Sequence, residues 1–338
     1  MAEIFLTIFF ISVLLFFLGS GIWVALSMIG VSAIGMILFT SRPVGDAMAT
    51  TIWGTASSWT LTALPLFVWM GEILFRTKLS ENLFKGLSPW MQKLPGGLIH
   101  VNVVGCALFA AISGSSAATV ATVGKMSIPE LRKRKYPEKI LLGSLAGSGT
   151  LGLLIPPSII LIIYGVAVQE SIAKLFIAGI IPGIMIALIF MSYVIIWSLI
   201  NKKEMPVILE EYSFLEKIKR SRQLLPVIIL ISSVIGSIYT GIATATEAAS
   251  LGVVGALLLS FFQKTLTIDT FKSSLLGATK TSCMIAFILA GSTFLSLAMG
   301  FTGLPRNLAV WIQNMNLSPY VLIFVLMIFY IILGMFLD

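Results

Sequence analysis

Two short segments combine hydroxyl side chains with glycine or proline inside an otherwise apolar sequence. Residues 113–124 read SGSSAATVATVG, and residues 146–158 read AGSGTLGLLIPPS. Glycine permits backbone angles that other residues avoid, and proline carries no N–H, so nearby carbonyl groups lose their usual helical donors. Carbonyl and hydroxyl oxygens are suitable ligands for a hard monovalent cation such as sodium. We therefore predict that the two segments contribute to one binding site.

The candidate ligands for sodium and substrate have small side chains or backbone groups freed by a break in a helix. They are Ser113, Gly114, Ser115, Ser116, Thr119, Gly147, Ser148, Gly149, Thr150, Pro156 and Pro157. A helix that begins after Ser116 would direct its positive end at the same place, which favours a substrate carboxylate. The alternative is that these small residues serve only close helix packing.

The composition identifies the class of protein that must position these residues. The 338 residues are 58% hydrophobic and only 11% charged, and the mean hydropathy is +1.03. These values exclude an ordinary soluble domain and predict an all-α polytopic membrane protein. The net charge of +8 lies in loops between apolar segments, which is typical of orientation signals and not of a nucleic-acid interface. No transition-metal site or catalytic site is predicted, since the sequence has a single histidine, His100.

The positions of the basic loops predict a re-entrant hairpin. Three loops, at 76–93, 125–139 and 201–222, are rich in Lys and Arg, and the positive-inside rule places all three in the cytoplasm. Only one apolar segment, 97–124, separates the first two loops. It must therefore enter and leave on the same side, with its tip at Ser113-Gly114-Ser115-Ser116. Such irregular backbone is tolerated inside a membrane only where protein or a wet cavity surrounds it.

An internal repeat accompanies this topology. The apolar spans are expected at 4–19, 21–40, 59–75, 140–165, 175–200, 224–242, 247–262, 281–300 and 318–337. The sequence SGIWVA at 20–25 resembles TGIATA at 240–245, and TKLSENL at 77–83 resembles TGLPRNL at 302–308. The predicted topology gives the two halves opposite orientations, as in secondary transporters built from inverted repeats. By this repeat a second hairpin would turn near Asp338, so we expect the chain to be C-terminally truncated.

Local patterns give further expectations. Glu72 and Arg76 stand four residues apart in the order that favours an ion pair on a helix. Capping-box spacing occurs at Thr244–Glu247, before an apolar span, and at Ser127–Glu130, in a basic segment predicted to be a loop. Residues 265–280 are predicted to form a separate amphipathic helix at the membrane surface, and 302–308 an external turn.

Five segments together resemble the large membrane subunit of tripartite ATP-independent periplasmic (TRAP) transporters. They are LFAAISGSSAATVATVGKMSIPEL, GTLGLLIPPSIILIIYG, KLFIAGIIPG, YTGIATATEAAS and LGMFLD. The resemblance implies sodium-driven uptake of organic acids such as dicarboxylates, sialic acid or other sugar acids. It also implies a bacterial inner-membrane location, a small four-helix membrane subunit and a periplasmic substrate-binding protein as partners, and no cofactor beyond the coupling ion. By the same resemblance, Asp338 matches the acidic residue that opens the second hairpin.

The resemblance further implies an elevator-type transporter with re-entrant hairpins, similar to the ion-transporter superfamily. We expect residues 1–76 and 223–280 to form scaffold helices, and residues 201–222 to form a charged cytoplasmic connector. The transport domain would comprise 77–200, which contains the hairpin (97–124) and the broken helix (140–165), and an incomplete half at 281–338. Two alternatives stay open: a one-component sodium–carboxylate transporter and a truncated remnant without transport activity. A membrane-embedded serine hydrolase is disfavoured, because His100 lies well short of the serines at the tip.

Overall fold

The computed structural model describes residues 2–77, 79–206 and 212–336, and every regular element in these ranges is a helix. The α-helices are α1 (Ala2–Gly19), α2 (Val24–Phe39), α3 (Val44–Ala56), α4 (Ala63–Phe75), α5 (Leu79–Met91), α6 (His100–Ser113), α7 (Ser116–Lys133), α8 (Glu138–Gly149), α9 (Leu151–Leu154), α10 (Ile159–Val168), α11 (Ile172–Ile200), α12 (Phe214–Ser221), α13 (Leu225–Tyr239), α14 (Ala245–Phe262), α15 (Ile268–Phe301), α16 (Leu304–Asn314) and α17 (Pro319–Phe336).

Several of these helices are long and apolar enough to cross a membrane. In the described part of the chain there are four such spans, Glu138–Val168, Ile172–Ile200, Ala245–Phe262 and Ile268–Phe301, or up to six if two bent helix pairs each count as one. Shorter apolar helices include α1, α2 and α17. Large apolar side chains are exposed along them, which lipid would solvate and water would not. The all-α polytopic membrane architecture predicted from the composition is confirmed.

The chain divides into two compact units. One comprises Met1–Ser58 and Met284–Asp338, and the other comprises Trp59–Cys283. In the first unit the side chains of Met36, Phe294 and Ala298 form a buried apolar cluster. The second unit contains α6–α10, and therefore both polar segments singled out from the sequence.

Two helical hairpins, α1–α2 and α13–α14, repeat the same local contacts 220 residues apart. Gly21 and Gly241 adopt left-handed angles, with φ of 78° and 70°, in the turns between the paired helices. Within the first hairpin Gly35 packs directly on the ring of Phe10, and within the second Gly255 packs on Leu230 in the same way. All of these positions differ by 220, so the weak sequence match corresponds to a repeated packing arrangement.

The second repeated motif, TKLSENL and TGLPRNL, lies at the start of two connector helices. Helix α5 begins at Leu79 and α16 begins at Leu304, an offset of 225. Residues 302–308 were predicted to be a turn, but the turn is confined to Thr302 and Gly303, and α16 follows at once. Pro305 lies in its first turn, where a missing N–H has no consequence for the helix.

Three other helical segments differ from what the sequence predicted. The basic segment after Lys125 is not a loop, because α7 continues to Lys133 through Pro129. The Ser127–Glu130 spacing therefore lies inside a helix and caps nothing. The proline disrupts helical bonding, but the turn around it buries Ser127 and Leu131 completely, and this packing keeps the segment helical. Residues 268–280 are continuous with the apolar part of α15. Helix α3 lies between the second and third predicted spans, where the repeat implies a connector but no bounds were predicted.

The capping box before α14 is confirmed. The Glu247 carboxylate accepts from the Thr244 backbone N–H at 2.8 Å, and the Thr244 hydroxyl accepts from the Glu247 N–H at 3.3 Å. Each side chain satisfies an N–H that has no partner within the helix. The box fixes the start of α14, which packs along α4 with Gly252 against the thioether of Met70.

A matched pair of glycines in α15 tests the close packing of the first unit. A methyl group at Gly291 would lie 2.8 Å from the backbone carbonyl of Ala25, whereas one at Gly300 would meet no atom within 4 Å. We expect Gly291→Ala to destabilise the protein by about 1–3 kcal/mol, because the backbone of α2 cannot yield as a side chain can. Gly300→Ala should be neutral or slightly stabilising, since alanine is the better helix former. Thermal unfolding in detergent measures both, and equal midpoints for the two variants would contradict this packing.

Candidate functional site

The predicted tip is a tight turn between two antiparallel helices. Helix α6 ends at Ser113, Gly114 adopts a left-handed conformation (φ 60°), and α7 begins at Ser116. The N–H of Gly114 closes the end of α6 by donating to the Ala110 carbonyl at 2.9 Å. Ser115 is the N-cap of α7, and its hydroxyl accepts from the Ala118 N–H at 3.4 Å. The hairpin turn is therefore confirmed at the four residues predicted.

Three oxygen atoms meet inside this turn. The hydroxyl oxygens of Ser113 and Thr119 are 2.9 Å apart, and the Thr119 hydroxyl donates to the Ser115 carbonyl at 2.7 Å. The Ser113 hydroxyl also lies 3.3 Å from that carbonyl oxygen. Ser113 and Thr119 are both buried, so their hydroxyl oxygens are shielded from bulk water. The turn thus concentrates hydroxyl and carbonyl oxygens, the ligand types that hard cations prefer.

The second polar segment is a broken helix, as predicted, and it faces the tip. Helix α9 ends at Leu154, and α10 begins at Ile159. Because Pro157 has no N–H, the Leu153 carbonyl lacks its usual donor; the Ser158 hydroxyl donates to it at 2.6 Å instead. The N–H of Ile159 donates to the Gly114 carbonyl at 3.1 Å and so joins the broken helix to the tip.

Glycine is required where the two segments touch. A methyl group at Gly152 would lie 2.8 Å from the Ser115 carbonyl oxygen, and one at Gly114 would lie 2.8 Å from the Pro157 carbonyl oxygen. A methyl group at Gly149 would overlap the side chain of Val120 on α7. All these contacts are shorter than real methyl groups tolerate, so any larger residue would separate the tip from the broken helix.

Two helix N-termini therefore meet at the tip. Helix α7 begins at Ser116, and α10 begins at Ile159, whose N–H donates to the tip itself. The partial positive charges of helix N-termini favour a nearby anion. The tip thus combines oxygen ligands suited to a cation with helix ends suited to an anionic group.

Other predicted site residues are placed elsewhere or lie outside the described residues. The Ser148 hydroxyl is buried beside Asn102, where it donates to the Ser144 carbonyl at 2.5 Å. Thr150 is exposed, and its hydroxyl donates to the Gly147 carbonyl in its own helix at 2.7 Å. Gly147 packs near the ring of Phe190 on α11. Pro156 and Pro157 are buried in the break, whereas Asp338 falls outside the residues that the structure describes.

A cavity of about 400 Å³ lies beside the tip. It is bounded by α4, the hairpin, α10 and the part of α15 that belongs to the same unit. Its polar lining comprises Ser113 and Ser115 from the tip, Glu72 from α4 and Thr281 from α15. Helix α4 passes the tip closely, since a methyl group at Gly71 would lie 3.1 Å from the Ser113 Cα. The oxygen-rich turn is therefore next to a space large enough for a small organic ligand.

The acidic residue in this cavity is part of a polar cluster with a structural role. Glu72 forms the predicted ion pair with Arg76, and the Arg76 guanidinium also donates to the hydroxyl and the carbonyl of Ser273 at 3.0 and 3.2 Å. Gly277 leaves room for the carboxylate, because a methyl group there would lie 2.9 Å from the Glu72 Oε2 atom. The cluster fastens the first half of α15 to α4 alongside the cavity.

Gly71, Ser158 and Thr281 were not among the site residues predicted from the sequence. Ser158 had a recognisable signal, since it stands directly after two prolines and before an apolar run, as an N-cap does. Gly71 and Thr281 come from distant helices with no local motif. Only tertiary packing brings them to the tip.

An apolar helical chain with a hairpin seated on a broken helix belongs architecturally with secondary transporters. The family described as tripartite ATP-independent periplasmic transporter, DctM component, matches residues 9–338. The chain belongs to this family, and it is a multi-pass protein of the inner membrane. The members of this family are transporter permeases and not enzymes.

Curated relatives agree with this assignment and differ in their named substrates. A C4-dicarboxylate large permease protein from Pseudomonas aeruginosa is 33% identical over 311 residues, which is 92% of this chain and 72% of the relative. A sialic acid large permease protein from Vibrio cholerae is 32% identical over 322 residues (94% and 74%). A 2,3-diketo-L-gulonate large permease protein from Escherichia coli is 32% identical over 299 residues (86% and 68%).

The contact between the tip and the broken helix can be tested with two glycines. Gly152→Ala should force the Ser115 backbone away, whereas Gly143→Ala, in the preceding helix, meets no atom within 4 Å. We expect the Gly152 variant to accelerate hydrogen–deuterium exchange at the amides of residues 112–119 by about tenfold or more, since opening would cost less free energy. The Gly143 variant should exchange at the wild-type rate. Unchanged protection in the Gly152 variant would contradict the proximity described above.

Proposed function

We propose that this chain is the membrane permease subunit of a sodium-coupled transporter that imports organic acids. The observation that carries the proposal is the convergence of two helix N-termini and three oxygens, two of them on buried side chains, at one hairpin tip. The family assignment supports transport across the membrane, and the chemistry of the tip supports the identity of the coupled ions. Sodium would be the coupling ion, with no further cofactor.

The proposed sodium ligands are the three oxygens of the turn. The Ser115 carbonyl oxygen is within 3.3 Å of the hydroxyl oxygens of both Ser113 and Thr119. A hydroxyl group can offer a lone pair to a cation while its proton turns toward another acceptor. A carbonyl that Pro156 leaves short of a helical donor would supply a further oxygen, whereas the carbonyl deprived by Pro157 already accepts from Ser158.

The proposed substrate is an organic acid whose carboxylate faces the helix N-termini at the tip. Relatives that bear names for C4-dicarboxylate, sialic acid and 2,3-diketo-L-gulonate uptake support this class. The cavity beside Ser113 and Ser115 is the proposed place for the rest of the molecule. Glu72 is held by Arg76 on the wall of the cavity, and this pairing reduces its repulsion of an anion.

The proposed partners are a periplasmic binding protein that delivers the substrate and a small four-helix membrane subunit. We further propose that the transport half, residues 77–200, moves against scaffold helices as an elevator, in accord with the family resemblance. The second half of the transport domain, from residue 281, would contribute Asp338. Requirement for the binding protein distinguishes this assembly from a one-component sodium–carboxylate transporter.

Sodium-dependent uptake tests the proposed ligands. Ser113→Ala combined with Thr119→Val removes two of the three oxygens with little change in volume. We expect the sodium concentration for half-maximal uptake to rise about tenfold or more, because each lost ligand to a charged group contributes roughly 1.5–3 kcal/mol. The measurement is uptake of labelled C4-dicarboxylate or sialic acid into proteoliposomes that contain the permease and its small subunit, with the binding protein outside.

Thr150→Val provides the matched control, because the Thr150 hydroxyl is exposed and bonds only within its own helix among the described contacts. It should leave the sodium dependence unchanged. If the double variant keeps the wild-type sodium dependence, the assignment of the ligands is wrong. If uptake proceeds at full rate without the binding protein, the one-component alternative is favoured.

A further inference from the structure

Helix α12 is a short basic helix that leads directly into a span. Residues 214–222 contain four basic side chains, Lys217, Lys219, Arg220 and Arg222, and one acidic side chain, Glu216. The helix meets the apolar helix α13 at an angle of 58°, after a break of three residues. Helices α12 and α13 together are long and apolar enough for one bent span, and the basic α12 is the end at which the chain would leave the hydrocarbon core of the membrane.

One face of α12 is fixed on α5 by several contacts. The indole N–H of Trp90 donates to the Ser221 hydroxyl at 2.7 Å, and the ring of Phe214 packs edge-on against the indole, with centroids 6.3 Å apart. The ammonium group of Lys217 lies 5.5 Å from the centroid of the Trp90 ring. Phe214, Lys217 and Ser221 are spaced three and four apart, so they share this face. Helix α12 therefore has a fixed orientation around its axis.

The neighbouring face combines apolar and basic side chains within about 100° of one another around the helix axis. Leu215, Ile218 and Arg222 repeat at the same helical spacing, and Lys219 stands four residues after Leu215. Leu215 is 77% exposed and Ile218 is 49% exposed. Within the described residues, no hydrogen bond or ion pair joins the Lys219 or Arg222 side chain to another side chain. This face thus presents two apolar side chains followed by two positive charges, for which the described residues provide no ion-pair partner.

We propose that this face of α12, formed by Leu215, Ile218, Lys219 and Arg222, binds the anionic headgroups of the cytoplasmic membrane surface. The occupant is a negatively charged phospholipid whose phosphate lies between the two basic side chains. Leu215 and Ile218 enter the boundary between headgroups and acyl chains, as the apolar residues of interfacial helices do. The charges are complementary, because basic segments beside a span are attracted to anionic leaflets.

The orientation on α5 favours a lipid over an acidic protein as the occupant. Contacts with Trp90 hold the Phe214 and Ser221 face against α5, so Leu215 and Ile218 remain exposed on the neighbouring face. An acidic peptide would satisfy the charges but would leave Leu215 and Ile218 exposed to water. A lipid surface satisfies both groups at once, because its headgroups are charged and its acyl boundary is apolar.

A fluorescent label on the proposed face tests this inference. The full chain with Leu215→Cys and Cys283→Ser is purified in a neutral detergent and labelled with bimane at position 215. The remaining thiol, Cys106, is buried and should not react. Phosphatidylglycerol or phosphatidylcholine is then titrated in. We expect a blue shift of the label at low concentrations of phosphatidylglycerol only. Lys219→Gln with Arg222→Gln should weaken this binding roughly 25-fold, since each basic group near an anionic surface contributes about a fivefold factor.

The control removes the same charge elsewhere. Lys264→Gln with Lys272→Gln changes two exposed lysines near α15 and should alter the binding less than twofold. The proposal is overturned if the two lipids shift the label equally, or if the two double variants behave alike. A shift with soluble polyglutamate that exceeds the shift with phosphatidylglycerol would also overturn it, in favour of an acidic protein partner. All the altered side chains are exposed, and unchanged thermal unfolding confirms that the variants are folded.

Discussion

The fold around the candidate site depends on one constraint: a backbone polar group that is withdrawn from water must find a partner. A hairpin tip and a proline break each leave such groups without helical partners. Here the Ile159 N–H of the broken helix donates to the Gly114 carbonyl of the tip, and within the broken helix the Ser158 hydroxyl replaces the donor that Pro157 lacks. Neither segment would be stable at this place alone.

The bond between the tip and the broken helix requires their backbones to approach closely, and this explains the abundance of small residues. Gly114, Gly149 and Gly152 all lie where the tip meets the broken helix, and each excludes even a methyl group. The packing alternative considered from the sequence is therefore correct for these glycines. It does not account for the hydroxyls of Ser113 and Thr119, which face each other inside the turn and are not needed for close contact. Packing and the proposed ligand binding thus involve different residues of the same motif.

The sequence predicted the features that are encoded locally. The tip, the break at the two prolines, the Glu72–Arg76 ion pair and the cap at Thr244 depend on a few adjacent residues, and the structure contains all of them. Features that depend on tertiary burial were predicted less well. The helix through Pro129 persists because Leu131 is buried, and no local pattern could reveal that burial.

In the candidate site, too, tertiary burial decides the position of single side chains, and the sequence alone does not predict it. Ser148 and Thr150 carry the same functional group as Ser113 and stand beside the broken helix in sequence. Helical periodicity turns the hydroxyl of Ser148 toward Asn102 and leaves that of Thr150 exposed. Conversely, α4 and α15 bring Gly71 and Thr281 to the tip from positions far along the chain. A cluster of suitable residue types predicts where a site lies, but the helix faces decide which members belong to it.

The bonds that hold the tip in place are separate from the oxygens proposed to bind sodium. The Gly114 carbonyl fixes the tip to the broken helix, whereas the Ser113 and Thr119 hydroxyls bond only within the turn among the described contacts. Hydroxyl protons can rotate without moving heavy atoms, so a cation could enter this cluster without loss of the Ile159 bond. Such a division would allow the proposed ion to exchange while the helix N-termini remain aligned for the substrate. A turn held together by the ligands themselves would open each time the ion left.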